Sequence, residues 1–329
     1  MPSESSPVVD VSVIVPAYRS AATIGRTLSS IAAQAVRPRE VIVVDDGSDD
    51  GTADVARSFA PRMNGIDLKV IEQQNGGAGA ARNRALAAAS GEKIAFLDAD
   101  DAWLPEKLAR SLAVMADTGA GLVSHDYIRV DGDSEQEIDC ARHFKNHPAP
   151  FVSLYLRGNI ATSTVLVERR LIDQAGGFEA ALRSGQDIDL WLAITGRKDV
   201  TFHIFGEALT RYHVTTDGIS SRTAERRRCA MTILLRHADA LHGQGGGGRV
   251  NALLRAAIIC RQAATSFSAQ GKTVAAIGAL AIAPFAVLKV AGSVFSRPLA
   301  WLWVGGVTAA YLVQFQTYID PILALVGFK

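Results

Sequence analysis

Four short apolar runs recur within the first hundred residues of the chain, and a stretch with helical character separates each run from the next. The runs cover residues 11–15, 40–44, 68–71 and 93–97, and the first two are rich in β-branched side chains. A continuous apolar run of this length suits a strand buried on both faces of a parallel sheet. The alternation therefore predicts an α/β fold with a doubly wound sheet, which binds ligands at the carboxyl ends of its strands.

The pattern predicts further elements around these strands. Apolar residues at helical spacing over 23–31 predict the first helix, and further helices are expected from about residue 53, over about 79–89 and over 185–195. Pro105 suits the first position of another helix. Residues 121–125 read as a short strand, and residues 131–150 as a polar loop.

The fourth run ends abruptly in three carboxylates, Asp98, Asp100 and Asp101. Aspartate oxygens are hard ligands, and one or two of them with the oxygens of a diphosphate suffice to bind Mg²⁺ or Mn²⁺. A solvated loop or a helix cap is the ordinary alternative for such a cluster. Because the second run also ends in an acidic pair, Asp45 and Asp46, we favour a binding site at this edge of the sheet.

Two residues at the other strand ends are candidates for nucleotide contacts. Tyr18 follows the first strand, where its ring would stack on a nucleobase or else cover the edge of the core. Asp46 would accept hydrogen bonds from a base or ribose, or else form a local Asx turn.

Residues 76–83, with the sequence GGAGAARN, form a glycine-rich opening to a helix. The dinucleotide fingerprint G-x-G-x-x-G/A does not fit, because its sixth position falls on Arg82 and the segment follows the third strand rather than the first. Arg82 is expected either to face phosphate groups or to brace the acidic stretch at residues 45–52.

Composition narrows the class of partner. The 34 basic and 33 acidic side chains give a formal charge of +1, so nucleic acid is not expected. The three cysteines, Cys140, Cys229 and Cys260, show no paired spacing, which fits a reducing compartment. The first residues have no basic patch followed by an apolar core, so we expect the first domain to be cytosolic.

The C-terminal third differs from the rest of the chain. Residues 222–272 contain nine basic residues against Glu225 and Asp239, with a run of glycines at 245–248 as a flexible break. Residues 274–328 carry only three charges, at Lys289, Arg297 and Asp320. We expect this part to meet a membrane, either as spans over 274–295 and 299–313 or as helices lying on the cytoplasmic surface. A buried hairpin or an oligomer contact is the alternative.

Taken in order, the segments VSVIVPAYRSAATIGRTLSSI, EVIVVDDGSDDGT, NGGAGAARNRAL and GEKIAFLDADD resemble the serial motifs of the family 2 glycosyltransferases. The resemblance covers about residues 8–220. It implies a GT-A, Rossmann-like domain that binds a nucleotide sugar over residues 8–225. A basic helical segment at 226–272 and hydrophobic helices at 273–329 would follow it.

The resemblance also implies roles for individual residues. The donor site would include Pro16, Ala17, Tyr18, Asp46, Arg82 and Asp98. Asp98 and Asp100 match the family's D-x-D motif, in which the last aspartate binds Mn²⁺ or Mg²⁺.

A later family motif supplies the general base, and it falls on Asp187, where Gln186 replaces the usual glutamate. Asp189 is the competing carboxylate, and ordinary first-turn helix acids are the alternative for both. Trp191 would form a platform for an acceptor sugar or else face the core. His213, in a segment that continues to Gly218, Ile219 and Ser220, would approach the metal or phosphates.

The resemblance therefore implies an inverting enzyme that transfers a sugar, with UDP as the expected carrier, to a hydroxyl of a glycan or a lipid-linked acceptor. The Q-x-x-R-W signature of processive synthases is absent from the sequence. The alternatives are an inactive membrane scaffold of the same fold and a nucleotidyltransferase; a carboxylate-pair glycosidase is disfavoured because it needs no nucleotide site.

Overall fold

The computed structural model describes residues 7–145, 147–214, 222–242, 248 and 250–294. The chain divides into two compact units, one up to residue 218 and one from residue 219. The first unit is a mixed α/β structure and the described part of the second is helical, which confirms the predicted fold class.

The described strands are, in chain order, β1 (Val8–Ala17), β2 (Arg37–Asp45), β3 (Asp67–Glu72), β4 (Lys93–Phe96), β5 (Ala102–Trp103), β6 (Leu122–His125), β7 (Tyr127–Asp131), β8 (Ser134–Ile138), β9 (Leu166–Glu168), β10 (Phe202–Phe205) and β11 (Thr210–His213). Seven of them form the main sheet in the order β10-β6-β9-β4-β1-β2-β3. The other four form a smaller sheet in the order β5-β11-β7-β8.

The described helices of the first unit are α1 (Ile24–Ala32), α2 (Thr52–Ser58), α3 (Ala78–Ala88), α4 (Lys107–Thr118), α5 (Pro150–Arg157), α6 (Arg169–Ala175) and α7 (Gln186–Thr195). Those of the second unit are α8 (Thr223–Arg236), α9 (Val250–Ala269), α10 (Thr273–Ala281) and α11 (Ala283–Val294).

The core explains why the apolar runs of the sequence become strands. β1 pairs in parallel with both β2 and β4, which makes it an interior strand of the sheet, and its last seven residues are all buried. Alternate β1 residues such as Val13 and Val15 belong to the same buried cluster as Ile24, Leu28 and Ile31 of α1. These three helix residues recur at the spacing that lines one face of a helix, which buries that face against the sheet.

The main sheet departs from a purely parallel arrangement at β9. This three-residue strand lies between β4 and β6 and runs antiparallel to both. Because β9 runs in the opposite direction, it begins at the edge of the sheet where the parallel strands end.

The prediction of a polar loop over residues 131–150 is wrong in part. The segment contains β8, which pairs with β7 at the rim of the smaller sheet, and a 3-10 turn at Ala141–His143. Four of the five β8 residues are exposed, so the strand lacks the apolar alternation that would have marked it.

In the second unit, α10 and α11 both pack against α9. The stretch Thr273–Ala291 has the length and composition of a membrane-crossing helix, and a third of it is buried within the structure. The helical path is interrupted at Ile282, two residues before Pro284. Most of the glycine run at 245–248, and all of residues 299–313, lie outside the described residues.

The buried carboxylate of Glu40 in β2 links β1, β2 and β3, away from the strand ends that carry Asp46 and Asp98. It accepts hydrogen bonds from the Ser12 hydroxyl (2.6 Å), from the backbone and hydroxyl of Ser90, and from the Lys69 ammonium. Burial alone would raise the pKa of Glu40, but these donors outweigh it and lower the pKa to about 2.

We expect Glu40→Gln to lower the free energy of unfolding by roughly 1–3 kcal/mol at pH 7, because a buried charged acceptor loses its ion pair. A depressed pKa stabilises the fold above the unfolded value near 4.5, and this gain is lost as the pH falls towards 2. Urea denaturation from pH 7 to pH 3 should show the gap between wild type and variant closing. A gap that is constant with pH would contradict the assignment.

Candidate active site

Parallel register brings the ends of three strands to one edge of the main sheet. Ala17 at the end of β1 lies opposite Asp45 at the end of β2, and Ile14 lies opposite Phe96 at the end of β4. The residues that follow these strands, including Tyr18 and Asp46, therefore share this edge. The strand register therefore brings these motifs to the same edge of the sheet, as the sequence predicts.

Asp46 is buried, and its carboxylate is occupied by the glycine-rich segment. One oxygen accepts hydrogen bonds from the Gln73 amide (2.7 Å) and the Gly76 backbone (2.8 Å), and the other accepts from the Gly77 backbone (2.7 Å). Gly77 has a φ of 88°, a conformation that favours glycine. Asp46 thus anchors the loop that opens α3, and only part of its capacity as an acceptor is left for a ligand.

Tyr18 is the exposed group at the end of β1. Its side chain is 47% exposed, whereas Pro16 and Ala17 before it are buried. The Arg19 guanidinium lies 5.3 Å from the Tyr18 ring centre and forms a two-point hydrogen bond with Asp49. The Tyr18 ring is therefore accessible for stacking, with a cation beside it.

The acidic turn after β4 places its three carboxylates in different surroundings. Asp98 is 30% exposed, and one of its oxygens accepts a 2.7 Å hydrogen bond from Arg82. Asp100 is partly exposed, and Asp101 is buried and accepts hydrogen bonds from the Ser163 hydroxyl and the His213 backbone. Asp101 is thus a structural member of the turn, whereas Asp98 and Asp100 remain partly exposed.

The charges of this turn affect one another. Burial raises the pKa of Asp100 to about 6, and the nearby carboxylate of Asp98 adds to the rise. Arg82 is almost fully buried, which disfavours its charged form, yet the carboxylates of Asp98, Asp187 and Asp100 together raise its pKa. Asp187 therefore lies close enough to act on the same guanidinium as the acidic turn.

Asp187 stands in the first turn of α7. The helix begins after Gly185, which has a φ of 76°. One oxygen of Asp187 accepts a hydrogen bond from the Thr162 hydroxyl (2.8 Å), and the other accepts from the Ile188 backbone (2.8 Å). Asp189 is buried, whereas Asp187 is partly exposed, so Asp187 is the better placed of the two for a ligand. Gln186 turns inward and donates to the Leu182 carbonyl.

The suggested acceptor platform at Trp191 is corrected by the structure. The ring is fully buried and lies 5.6 Å from Phe96 and 6.2 Å from Phe178, measured between ring centres. No face of the indole is open to a sugar, so the core-facing alternative applies. Because α7 packs its second turn into the apolar core, Trp191 is covered while Asp187 in the first turn is not.

His213, the last residue of β11, joins the acidic turn through its backbone. Its N–H donates to Asp101 (2.9 Å), and its buried Nδ1 has no hydrogen-bond partner among the described residues. Burial lowers the pKa of His213, and the positive charge of Arg26 lowers it further. The ring is therefore disposed to be neutral. The following residues, Gly218, Ile219 and Ser220, lie outside the described part of the chain.

Sequence reasoning missed the segment Thr162–Thr164, a 3-10 turn that leads into β9. Its hydroxyls contact Asp187 and Asp101 directly. A run of three small polar residues before a three-residue strand gives no periodic signal, so only the tertiary structure reveals it. Arg26 was also missed; it donates to the Asp100 carbonyl from α1.

The carboxylates of the acidic turn partly meet the requirements of a hard divalent cation. In the part of the chain that the structure describes, no group of three or more histidine, cysteine or acidic side chains is arranged to hold a metal ion. Mg²⁺ and Mn²⁺ are commonly held by one or two carboxylates, with the remaining ligands supplied by water and phosphate oxygens. Asp98 and Asp100, with like charges crowded in one turn, meet that smaller requirement.

Comparison with known proteins shows the family to which the chain belongs. The sequence profile described as Glycosyl transferase family 2 matches residues 12–172. TuaG of Bacillus subtilis (strain 168), a glycosyltransferase assigned to teichuronic acid biosynthesis, is 32% identical over 221 residues, covering 64% of this chain and 81% of TuaG. The chain therefore belongs to glycosyl transferase family 2, which confirms the resemblance seen in its motifs.

Two further likenesses bear on the site. Escherichia coli WfgD, a UDP-Glc:α-D-GlcNAc-diphosphoundecaprenol β-1,3-glucosyltransferase, is 29% identical over 211 residues, which cover 64% of this chain and 79% of WfgD. The mannosyltransferase PcManGT from Pyrobaculum calidifontis, solved with GDP-Man and Mn²⁺, superposes with a TM-score of 0.60 at 23% identity, covering 100% of this chain and 90% of that one. At that identity the superposition shows the fold alone.

Proposed function

We propose that this chain transfers a sugar from a UDP-sugar to a hydroxyl group of a glycan or lipid-linked acceptor, with inversion at the anomeric carbon, in surface polysaccharide synthesis. The observation that carries the proposal is the gathering of Asp98, Asp100 and Asp187 around the buried Arg82 at the edge where the parallel strands end. WfgD transfers glucose from UDP-Glc to a diphosphoundecaprenol-linked sugar, and TuaG is assigned to teichuronic acid biosynthesis. These relatives support a sugar nucleotide as donor and a polymer or its lipid-linked precursor as product.

The donor's nucleoside fits the end of β1. Tyr18 offers an exposed ring for stacking on a base, and the loop anchored by Asp46 forms the neighbouring wall. The donor of WfgD favours uridine, whereas PcManGT was solved with a guanosine nucleotide, so the choice of base is part of the proposal.

The leaving diphosphate fits the acidic turn when a divalent cation is present. Asp98 and Asp100 would hold Mn²⁺ or Mg²⁺, and the bound metal would supply Lewis-acid stabilisation of the charge on the diphosphate. Arg82 positions Asp98 through their hydrogen bond and offsets part of the negative charge beneath the site.

Asp187 acts as the general base in the proposed reaction. Its carboxylate takes the proton of the acceptor hydroxyl while the acceptor oxygen bonds to the anomeric carbon. The bond from that carbon to the diphosphate breaks, and the nucleoside diphosphate leaves with the electron pair. Attack from the side opposite the leaving group inverts the anomeric configuration.

Asp187→Asn should bind the donor like the wild type yet lose turnover by roughly 10²-fold or more, because the amide cannot accept the proton. Release of UDP from UDP-glucose and UDP-N-acetylglucosamine measures turnover. Asp189→Asn, in the same helical turn, is the matched comparison and should retain turnover within about 3-fold. Normal turnover by the Asp187 variant would reject the assignment, and a loss confined to the Asp189 variant would move the base to that residue.

Asp100→Ala should abolish the part of nucleotide affinity that depends on Mn²⁺, because the cation loses a carboxylate ligand. Titration calorimetry with UDP and with GDP, each with and without Mn²⁺, measures both this dependence and the preference for a base. Asp49→Ala, which removes an exposed acid near Tyr18, is the control and should keep the dependence. Equal affinity of the wild type with and without Mn²⁺ would contradict the metal role. Tighter binding of GDP than of UDP would contradict the assignment of uridine.

We also propose that the second unit lies on the cytoplasmic surface of a membrane. The large apolar side chains of Val274 and Ile277 in α10, of Ile282 between the helices and of Phe285 in α11 are all exposed. Lys272 and Lys289, both exposed, flank these residues in the chain. Exposed apolar side chains flanked by lysines suit the interface of an anionic bilayer.

A surface position is favoured over a span by the packing of these helices. Their other face contacts α9, which carries Arg255 and Arg261. If α10 and α11 crossed the bilayer with this partner, those arginines would enter the hydrocarbon at a cost of roughly 2.5–3.5 kcal/mol each.

Phe285→Glu in the full chain should weaken binding to vesicles that contain phosphatidylglycerol by about 10-fold or more, because an inserted aromatic is replaced by a charge. Co-sedimentation measures binding, and Val8→Glu, at a similarly exposed apolar site in the first unit, is the control. Alkaline carbonate should release the wild-type chain from membranes. Retention after carbonate would indicate a span, and binding unaffected by Phe285→Glu would refute the proposed surface.

A further inference from the structure

The turn Thr162–Thr164 connects the acidic turn to α7. The Thr162 hydroxyl donates to Asp187 (2.8 Å), while the next hydroxyl, that of Ser163, donates to the buried Asp101 and accepts from the Asp98 backbone (3.1 Å). The Cα atoms of consecutive residues are about 3.8 Å apart. A single peptide unit therefore links the contact to the proposed base with the contacts to the acidic turn.

The fold holds this turn from several sides. The Ser163 carbonyl accepts hydrogen bonds from the Trp103 indole (2.7 Å) and the Thr210 hydroxyl (3.3 Å). The Thr164 hydroxyl pairs with that of Ser124 (2.6 Å), and all three residues of the turn are buried. The antiparallel direction of β9 brings its first residues to the acidic edge, so the turn is fixed where the site is assembled.

We infer that Thr162 is a positioning residue for the base Asp187, an inference that rests on the proposed function. A carboxylate offers about four lone-pair positions on its two oxygens. Thr162 occupies one position on one oxygen, and the Ile188 backbone occupies one on the other, which fixes the rotation of the group. The remaining positions are held in a constant direction for the proton of the acceptor.

The chemistry of threonine suits this task. A β-branched side chain has few accessible χ1 rotamers, so its hydroxyl is held in place at little further loss of entropy. Thr162 is buried, and its carbonyl accepts the backbone N–H of Val165 (3.1 Å), the residue directly before β9. A change in Thr162 should therefore alter the direction of Asp187 without disturbing Asp98 or Asp100.

Thr162→Val removes the hydroxyl and keeps the shape, so we expect kcat to fall about 10-fold or more through misorientation of the base. The Kd for UDP with Mn²⁺ should change by less than about 2-fold, since nucleotide contacts are untouched. Thr162→Ser keeps a donor and should restore most of kcat. Thr164→Val is the matched control, because it removes a buried hydroxyl from the same turn that does not touch Asp187.

Turnover is measured as nucleotide release from UDP-glucose, UDP-N-acetylglucosamine and GDP-mannose with Mn²⁺, with water in place of the acceptor. In an Asp187→Asn background, Thr162→Val should have no further effect on kcat, since both changes act through one group. A Thr162→Val protein with wild-type kcat, or an equal loss of kcat in Thr164→Val, would overturn the inference and leave the proposed function standing. Full turnover by Asp187→Asn, or no turnover of any donor by the wild type, would overturn the proposed function itself.

Discussion

The buried guanidinium of Arg82 is the interaction on which the candidate site depends. A charged group in the interior is costly unless it is paired, and Arg82 meets that condition through its hydrogen bond to Asp98 and the nearby charges of Asp187 and Asp100. The guanidinium carbon of Arg82 lies over the Phe178 ring, 5.5 Å from the ring centre. The Arg82 guanidinium thus allows three carboxylates to approach one another. The negative charge that it does not offset is available to a bound metal ion.

Much of this arrangement could be predicted from the sequence because its causes are local. Strands buried on both faces need continuous apolar runs, and such runs marked β1, β2 and β4. The run at residues 68–71 marked β3, which lies at the edge of the sheet and is only partly buried. The polar residues that follow a strand must lie at its carboxyl end, so the neighbourhood of Tyr18, Asp46 and Asp98 followed from topology alone. The motifs then identified the family, which the comparisons confirm.

What could not be predicted depends on contacts between distant residues. Strand β9 has three residues, too few for a periodic pattern, and its antiparallel direction is set by its neighbours β4 and β6. Trp191 lies in an apolar stretch of α7, and only the positions of Phe96 and Phe178 decide that its ring is covered. Asp46 shows a third case, because the sequence marked it as a ligand contact but not as the acceptor of two glycine N–H groups.

The chain order of the site residues has a consequence for how such an enzyme diversifies. Tyr18, Asp46 and the acidic turn all precede residue 102, whereas the Thr162–Thr164 turn and Asp187 follow residue 160. In the proposed reaction, the residues that would bind the nucleotide sugar and those that would bind the acceptor hydroxyl therefore lie in separate stretches of the chain. Under that proposal, substitutions in the later stretch would change the acceptor, while the earlier stretch would keep its specificity for the nucleotide sugar.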